Sequence, residues 1–496
     1  MQFRIHPHEV QLVVAALGAL AGLLALWMRR SGRGLDATLG VLAGVAALAF
    51  FVLSSSPQQF VKTWDVQHAY FGAKYARELG YFRIYQCILA LDAGAAGTFR
   101  GIDRASDLRE PMATLSRADL LRDSDCEQRF APERRRAFLA DLDFFQRLPD
   151  QPKRALWFGD NGYNQTPFFS ALVSPFFERL PLRYGTLLGL ALIDPLLIAI
   201  SLAAVFRSFG VRAGLVAALF FFTEVPNQWN VMGGAVLRFG YVSLAMLGAC
   251  AFERGRAKTA GIAFGIATLL QVFPAILPAA LVAWALLRRA RGERLPDWLP
   301  GLVAAFAVTL AAGLAASAAL VGLGAWPEFF AKIALHGQML SLYRIGLKCL
   351  VTLDHFLVPA PDYDYVAAVR SLGARFALHA AGVAILALAL LSLARRVGPL
   401  LFATTALAVA LTVLTPVHYY FSALVLLLLV GPEEAQAPAY TLGWTALLAW
   451  SAAGYAALLA TDSRAFVNSA ILSTGLVAVL LVHCVAWRSM ASRTTR

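Results

Sequence analysis

Charge is what this chain has least of. Only 15% of its 496 residues are Asp, Glu, Lys or Arg, against roughly 25% in a soluble domain. With 59% hydrophobic residues and a mean hydropathy of +0.63, there is too little polar surface to cover a soluble fold of this size. An ordinary cytoplasmic enzyme and a disordered chain are both excluded. Five cysteines in so long a chain exclude a disulfide-stapled miniprotein. No CxxC or His/Cys pattern points to structural zinc. There is no phosphate-binding loop, no GxGxxG after a strand, no zinc-protease motif and no nucleophile elbow. Their lack removes ATP-driven transport and the standard hydrolases. No tandem repeat of fixed period and no inverted pair of halves is visible, which argues against the common transporter designs.

Long apolar runs are what the chain does have. About 20 residues cross the hydrocarbon of a bilayer. Runs 9–28, 35–54, 186–206, 213–225, 232–252, 299–322, 376–393, 398–414, 418–430, 440–460 and 467–487 read as membrane segments. The run 259–287 is too short for two full spans and carries Gln271, Pro274 and Pro278. Proline removes a donor and clashes with the preceding turn, so this run reads as two short helices meeting near 271–274. Such a break is tolerated where protein or water covers the freed backbone. The expected fold is an all-α polytopic membrane protein of about 13 membrane helices, one short broken pair included.

Basic clusters follow alternate runs: Arg29, Arg30 and Arg33; Arg207 and Arg212; Arg254, Arg256 and Lys258; Arg288, Arg289, Arg291 and Arg294; Arg395 and Arg396; Arg488, Arg493 and Arg496. The positive-inside rule puts them on the cytoplasmic side. The first cluster comes after its apolar run, so 9–28 reads as an uncleaved helix and not as a signal peptide, although Arg4 lies on its outer side. The net charge of +13 is then a topology signal and not a nucleic-acid signature. Residues 55–185 hold 16 of the 30 acidic and 18 of the 43 basic residues, and the topology places this mostly helical domain on the outer face. A second outer segment covers 323–375. The chain divides into an extra membrane helix (1–34), a main module (35–393) and C-terminal membrane helices (394–496). Cys250 and Cys484 fall in apolar runs and read as packing residues. Cys87, Cys126 and Cys349 map to the outer side, where a Cys87–Cys126 disulfide is expected and free thiols are the alternative.

Chemistry-bearing residues gather at the outer rim. Just past the second run stand Lys62, Asp65, His68 and Lys74. A carboxylate there suits a general base that takes a proton from an attacking hydroxyl, although Asp65 also suits a helix N-cap, with Gly80 closing the helix. The large insert ends in Trp157, Asp160, Asn161, Gly162, Tyr163 and Asn164. The Asp-Asn-Gly turn and its aromatic and amide neighbours suit sugar stacking and hydroxyl recognition, or else an interfacial anchor. Asp194 and Arg238 lie inside apolar runs, where burying charge is costly. An arginine at the rim suits a bidentate grip on phosphate, and a structural salt bridge is the other reading. His336, Gln338, Arg344 and Lys348 alternate with apolar residues, as in an interfacial helix or in a loop closing over an anionic headgroup. His418 and Tyr419 mark one more outer rim.

This layout resembles the GT-C superfamily of polyprenyl-phosphate-sugar-dependent membrane glycosyltransferases. The resemblance covers roughly 35–393: a long outer loop after the first of seven helices, a short helix pair, and a second outer loop after the seventh. It implies that Asp65 takes the family's catalytic acidic position. Leu270-Gln271-Val272-Phe273-Pro274 is similar to the family's Lys-x-x-Pro helix pair, with Gln271 near the family's lysine and Arg238 or Lys348 as substitutes. It further implies a donor phosphate held by Arg238, Arg344, Lys348 and His336, and substrate contacts from Lys62, His68, Lys74, Asp160, Tyr163, Asn164, Gln271, His418 and Tyr419. The expected activity is inverting transfer of a sugar from a polyprenyl phosphate to a lipid, glycan or protein hydroxyl, at the periplasmic face of a bacterial inner membrane. Without an Asp-Asp or Glu-x-Asp pair near Asp65, no metal or cofactor is expected. A transporter or flippase for a lipid-linked or anionic substrate is the rival reading; a non-catalytic scaffold is a third.

Overall fold

A computed structural model describes residues 7–28, 32–53, 60–93, 99–122, 124–148, 157–341, 343–358, 362–461 and 465–491. Arg4, Arg29, Arg30, Arg493 and Arg496, named above for topology, lie outside the described residues.

Alanine- and leucine-rich runs favour helix by propensity, and lipid enforces it, because backbone groups there must find partners within their own segment. Among the described residues, seven helices are long and apolar enough to cross a membrane: Pro7–Met28, Arg33–Val52, Tyr184–Thr223, Trp298–Val321, Phe376–Leu393, Pro438–Ala460 and Val467–Ser489. Their outer faces carry bare apolar side chains, such as Val308 at 68% and Leu388 at 66% exposure. Surfaces of that kind are untenable in water and ordinary in lipid. The protein is helical and membrane-embedded.

Several of the expected segments take forms other than one long, straight helix. Runs 186–206 and 213–225 are two helices that meet at Gly210, whose non-helical backbone (φ 82°, ψ 177°) is open to glycine. Run 232–252 becomes helical only from Gly240, because residues 233–239 form an irregular turn around Arg238. Run 418–430 is a 3-10 helix, His418–Leu428, whose residues Phe421–Leu428 are buried in the bundle and not presented to lipid. The helices Gly240–Glu253, Ala257–Leu270, Pro399–Leu414 and His418–Leu428 are apolar but short.

The 259–287 region breaks near its glutamine. Ala257–Leu270 ends at an extended Gln271, a 3-10 turn Phe273–Ala275 holds Pro274, and Ile276–Arg289 follows. The two helices part company: the first packs on Trp298–Val321 and Gly240–Glu253, the second on Pro399–Leu414. Close approach is set by Gly261, where an added Cβ would sit 2.4 Å from Leu302 O.

The large insert has a core of its own. Helices Thr63–Lys74, Ile84–Ala93, Pro132–Gln146 and Pro167–Arg179 surround it, with an antiparallel hairpin of Arg104–Ser106 and Thr114–Ser116. Phe71, Tyr75, Phe130, Phe138 and Phe145 are buried together, with ring centroids 5.0–6.0 Å apart in the edge-on and tilted arrangements aromatic quadrupoles favour. A Cys87–Cys126 disulfide joins Ile84–Ala93 to Cys126–Arg129.

The second insert begins with the helix Ala325–Gln338, and its next helix, Leu347–Val351, follows Gly346. Among the described residues, no interfacial helix spans 336–348. Three side chains one helical turn apart tie this helix to the large insert. Glu328 accepts from Tyr81 N at 3.1 Å, Lys332 Nζ donates to Leu108 O at 3.1 Å, and His336 Nε2 bonds Asn164 Oδ1 at 2.8 Å.

Candidate functional site

Asp65 sits in the first turn of Thr63–Lys74, but no side chain caps that helix, so the N-cap role is not the one it fills. Its Oδ2 lies 3.5 Å from Lys62 Nζ and 3.5 Å from Arg238 Nη2, and has no hydrogen-bond partner among the described residues. Burial alone would raise its proton affinity. The Lys62 ammonium and the Arg238 guanidinium outweigh burial and hold the carboxyl below its ordinary range. Burial in turn pulls the Lys62 ammonium down, against the attraction of Asp65.

Arg238 reaches Asp65 because its turn is anchored from behind. The buried Asp194 carboxylate accepts from Arg238 N at 2.9 Å and Phe239 N at 3.0 Å. Asp194 is therefore a backbone clamp, and the Arg238 side chain pairs with Asp65 instead. The turn is also pinned to the segment entering the Asp65 helix: Lys62 N donates to Gly234 O at 2.9 Å and Lys62 Nζ donates to Val231 O. Gly234 has φ 74°, and a Cβ there would stand 2.0 Å from Phe60 O, so only glycine fits. Trp229 packs between Phe60 and Phe239, with centroids at 4.8 and 6.2 Å, and backs this junction.

On its other side, Arg238 stacks over the ring of Tyr419, 4.9 Å from the centroid. Tyr419 lines a cavity of about 240 Å³. Asn164, Gln271, His336, Arg344 and Lys348 form its polar lining; Val272, Phe273, Phe329, Ile333, Leu411 and Leu414 form its apolar wall. Arg344 is 3% exposed and donates to His336 O at 2.7 Å and Thr415 O at 3.3 Å. Lys348 Nζ donates to Gly337 O at 2.8 Å. Gln271 Nε2 donates to Gln165 Oε1 at 3.1 Å. Burial, reinforced by Lys332 and Arg344, pushes the His336 imidazole down to about 3, so it is neutral near pH 7.

Backbone strain concentrates here. Of four non-glycine residues with positive φ among the described residues, three flank this site: Leu237 (54°) before Arg238, Tyr343 (65°) before Arg344, and Thr415 (55°) at the cavity edge. Such conformations cost of order 1–3 kcal/mol each and persist where the surroundings impose them, often at functional sites.

The remaining expected residues fall in three places. His68 and Asp160 stand behind Asp65: Trp157 Nε1 donates to His68 Nδ1 at 3.1 Å, His68 Nε2 faces Tyr85 OH at 3.1 Å, and Asp160 Oδ2 accepts from Trp64 Nε1 at 3.1 Å. Burial keeps His68 below its usual range. Lys74 and Tyr163 point into the insert, where Lys74 pairs with Asp141 at 2.7 Å and the Tyr163 hydroxyl meets Ser170 Oγ at 2.7 Å. His418 bonds the Tyr343 carbonyl through its backbone N at 2.6 Å, next to Arg344 and Val417 of the cavity lining. Among the described residues, no group of three or more His, Cys, Asp or Glu side chains is arranged to hold a metal.

Two contributors escaped the sequence reading. Tyr420 lines the cavity and packs on Phe273 at 4.8 Å; its adjacency to Tyr419 was the available signal. Lys332 carries no pattern in sequence that marks it as a tie between the two inserts.

No protein-family model, curated protein or solved structure matches the chain.

Proposed function

We propose that the protein is an inverting glycosyltransferase that moves a sugar from a polyprenyl phosphate to an acceptor hydroxyl at the outer, periplasmic face of a bacterial inner membrane. The observation that carries this reading is the adjacency of Asp65 and Arg238 at 3.5 Å, with Arg238 stacked on Tyr419 in the wall of a cavity lined by both cationic and apolar side chains. A phosphate bearing an isoprenoid chain has that same division of chemistry.

In this reading the donor phosphate lies among Arg238, Arg344 and Lys348, with the chain along Phe273, Leu411 and Leu414. The acceptor O–H lies against Asp65. Its proton passes to the carboxylate while its oxygen bonds the anomeric carbon from the face opposite the phosphate. The bond from that carbon to the phosphate oxygen breaks, and its electron pair leaves on the isoprenyl phosphate. The leaving group departs already anionic, so a strong general acid is unnecessary; fixed cations stabilise the charge as it develops. His336, neutral and bonded to Asn164, and Gln271, bonded to Gln165, offer hydrogen bonds to sugar hydroxyls.

The test is chemical transfer with stereochemistry. Protein in nanodiscs is given labelled polyprenyl-phosphate sugars of known anomeric configuration and lipid and glycan acceptors from bacterial envelopes. A glycoside of inverted configuration is expected, together with free polyprenyl phosphate. Movement of intact donor across proteoliposomes without bond cleavage would instead support a flippase.

A further inference from the structure

Arg238 is held by its backbone and loose at its tip. Asp194 fixes the amides of residues 238 and 239, yet the guanidinium lies 3.5 Å from Asp65, and among the described residues neither its buried Nε nor Asp65 Oδ2 has a hydrogen-bond partner. Its second face rests on Tyr419, at the cavity wall. A guanidinium so placed can turn from carboxylate to cavity with its main chain unmoved.

We infer that Asp65 and the donor phosphate compete for Arg238, so that donor binding draws the guanidinium off the carboxylate and switches the base on. This rests on the glycosyltransferase reading of the site. The groups facing Asp65 are Lys62 from its own helix entry, Arg238 from the turn before Gly240, and His68 one turn further along, which burial keeps below its usual range. With the site empty, two cations hold the carboxylate and leave it a weak base. A phosphate accepts two parallel N–H bonds from one guanidinium and is the stronger partner. Once Arg238 has turned, only the Lys62 charge remains, and Asp65 regains proton affinity as the sugar arrives. Donor therefore binds before acceptor, and an acceptor alone finds Asp65 occupied by its own protein.

Binding linkage tests this without any acceptor. The probe is farnesyl phosphate, which has an isoprenoid chain and a phosphate but no sugar, titrated by tryptophan fluorescence into protein in nanodiscs. Because coupling is reciprocal, freeing Arg238 must tighten the probe: Asp65→Asn is expected to bind it about 5- to 10-fold more tightly than wild type, at the low end of ordinary coupling. Arg238→Gln is expected to bind it more weakly, and adding Asp65→Asn to Arg238→Gln to change nothing further. If Arg238→Gln does not fold, Arg238→Lys serves: it keeps the charge and loses the fork, and the gain from Asp65→Asn on that background must be smaller than in wild type. No gain in Asp65→Asn, or a gain undiminished on the Arg238 backgrounds, overturns the competition; the second result would mean simple repulsion between carboxylate and phosphate. A wild type that fails to bind farnesyl phosphate at all overturns the donor-cavity reading as well.

Discussion

Arg238 Nη2 lies 3.5 Å from Asp65 Oδ2, joining the first helical turn of the large insert to the irregular turn that precedes Gly240. Neither partner is placed by its own helix alone. Lys62 and Gly234 pair the two backbones, and Asp194 fixes the second from below. The proposed base and the proposed phosphate anchor are thereby parts of one polar junction at the edge of the apolar helices.

Asp194 is expected to act on transfer through Arg238. Asp194→Ala leaves two buried N–H groups without acceptors, at roughly 1–3 kcal/mol each, and lets the 233–239 turn drift. Transfer should fall about 100-fold, a loss typical of small misplacements at a reacting centre. Asp194→Asn keeps one acceptor oxygen and should lose less in both thermal melting and rate. Full activity in Asp194→Ala would show that Arg238 is held by other means.

Lys348 and Arg344 should separate kinetically. Lys348 lies at the cavity edge with its ammonium on Gly337 O. Lys348→Ala is expected to raise the donor KM about tenfold with little change in kcat, the mark of an interaction equal in ground and transition states. Arg344 is buried and bridges His336 O to Thr415 O, so Arg344→Ala should also lower the melting temperature and Arg344→Lys should restore part of it. A donor KM unchanged by Lys348→Ala would remove that residue from the phosphate site.

Lys332 gives a pH signature in stability. Burial pushes its ammonium down to about 8, against about 10.4 for an exposed lysine. Between these values the unfolded chain binds the proton and the folded one does not, so stability from this group rises with pH across about 8 to 10. Below pH 8 both states are protonated and the burial cost stands in full. The melting temperature of wild type relative to Lys332→Met should therefore climb over that interval. A flat difference would mean that Lys332 keeps its proton throughout.

The membrane character, the two inserts, the break near Gln271 and the Cys87–Cys126 pair were legible because each rests on local chemistry: long apolar runs, dense charge, proline beside a polar residue, cysteines on one side. The form of each apolar segment was less legible. Apolar composition does not separate a lipid-facing span from the buried 3-10 segment His418–Leu428, nor does it foresee that residues 233–239 leave the helix to carry Arg238. At the site, Asp65, Arg238, Arg344 and Lys348 could each be singled out as charge near an apolar edge. Their pairings could not, since they depend on how distant segments pack. Lys74 shows the converse: it stands nine positions after Asp65 with the same local polarity, yet its partner is Asp141, deep in the insert.

The most direct measurement is donor turnover by Asp65→Asn in nanodiscs, followed as release of free polyprenyl phosphate beside wild type. The substitution keeps shape and removes the base. Loss of a positioned general base costs about 10²–10⁴ in rate, so turnover should drop by that factor while the melting profile persists and farnesyl phosphate still binds, more tightly than to wild type. Turnover at the wild-type rate by a folded Asp65→Asn protein would contradict the account.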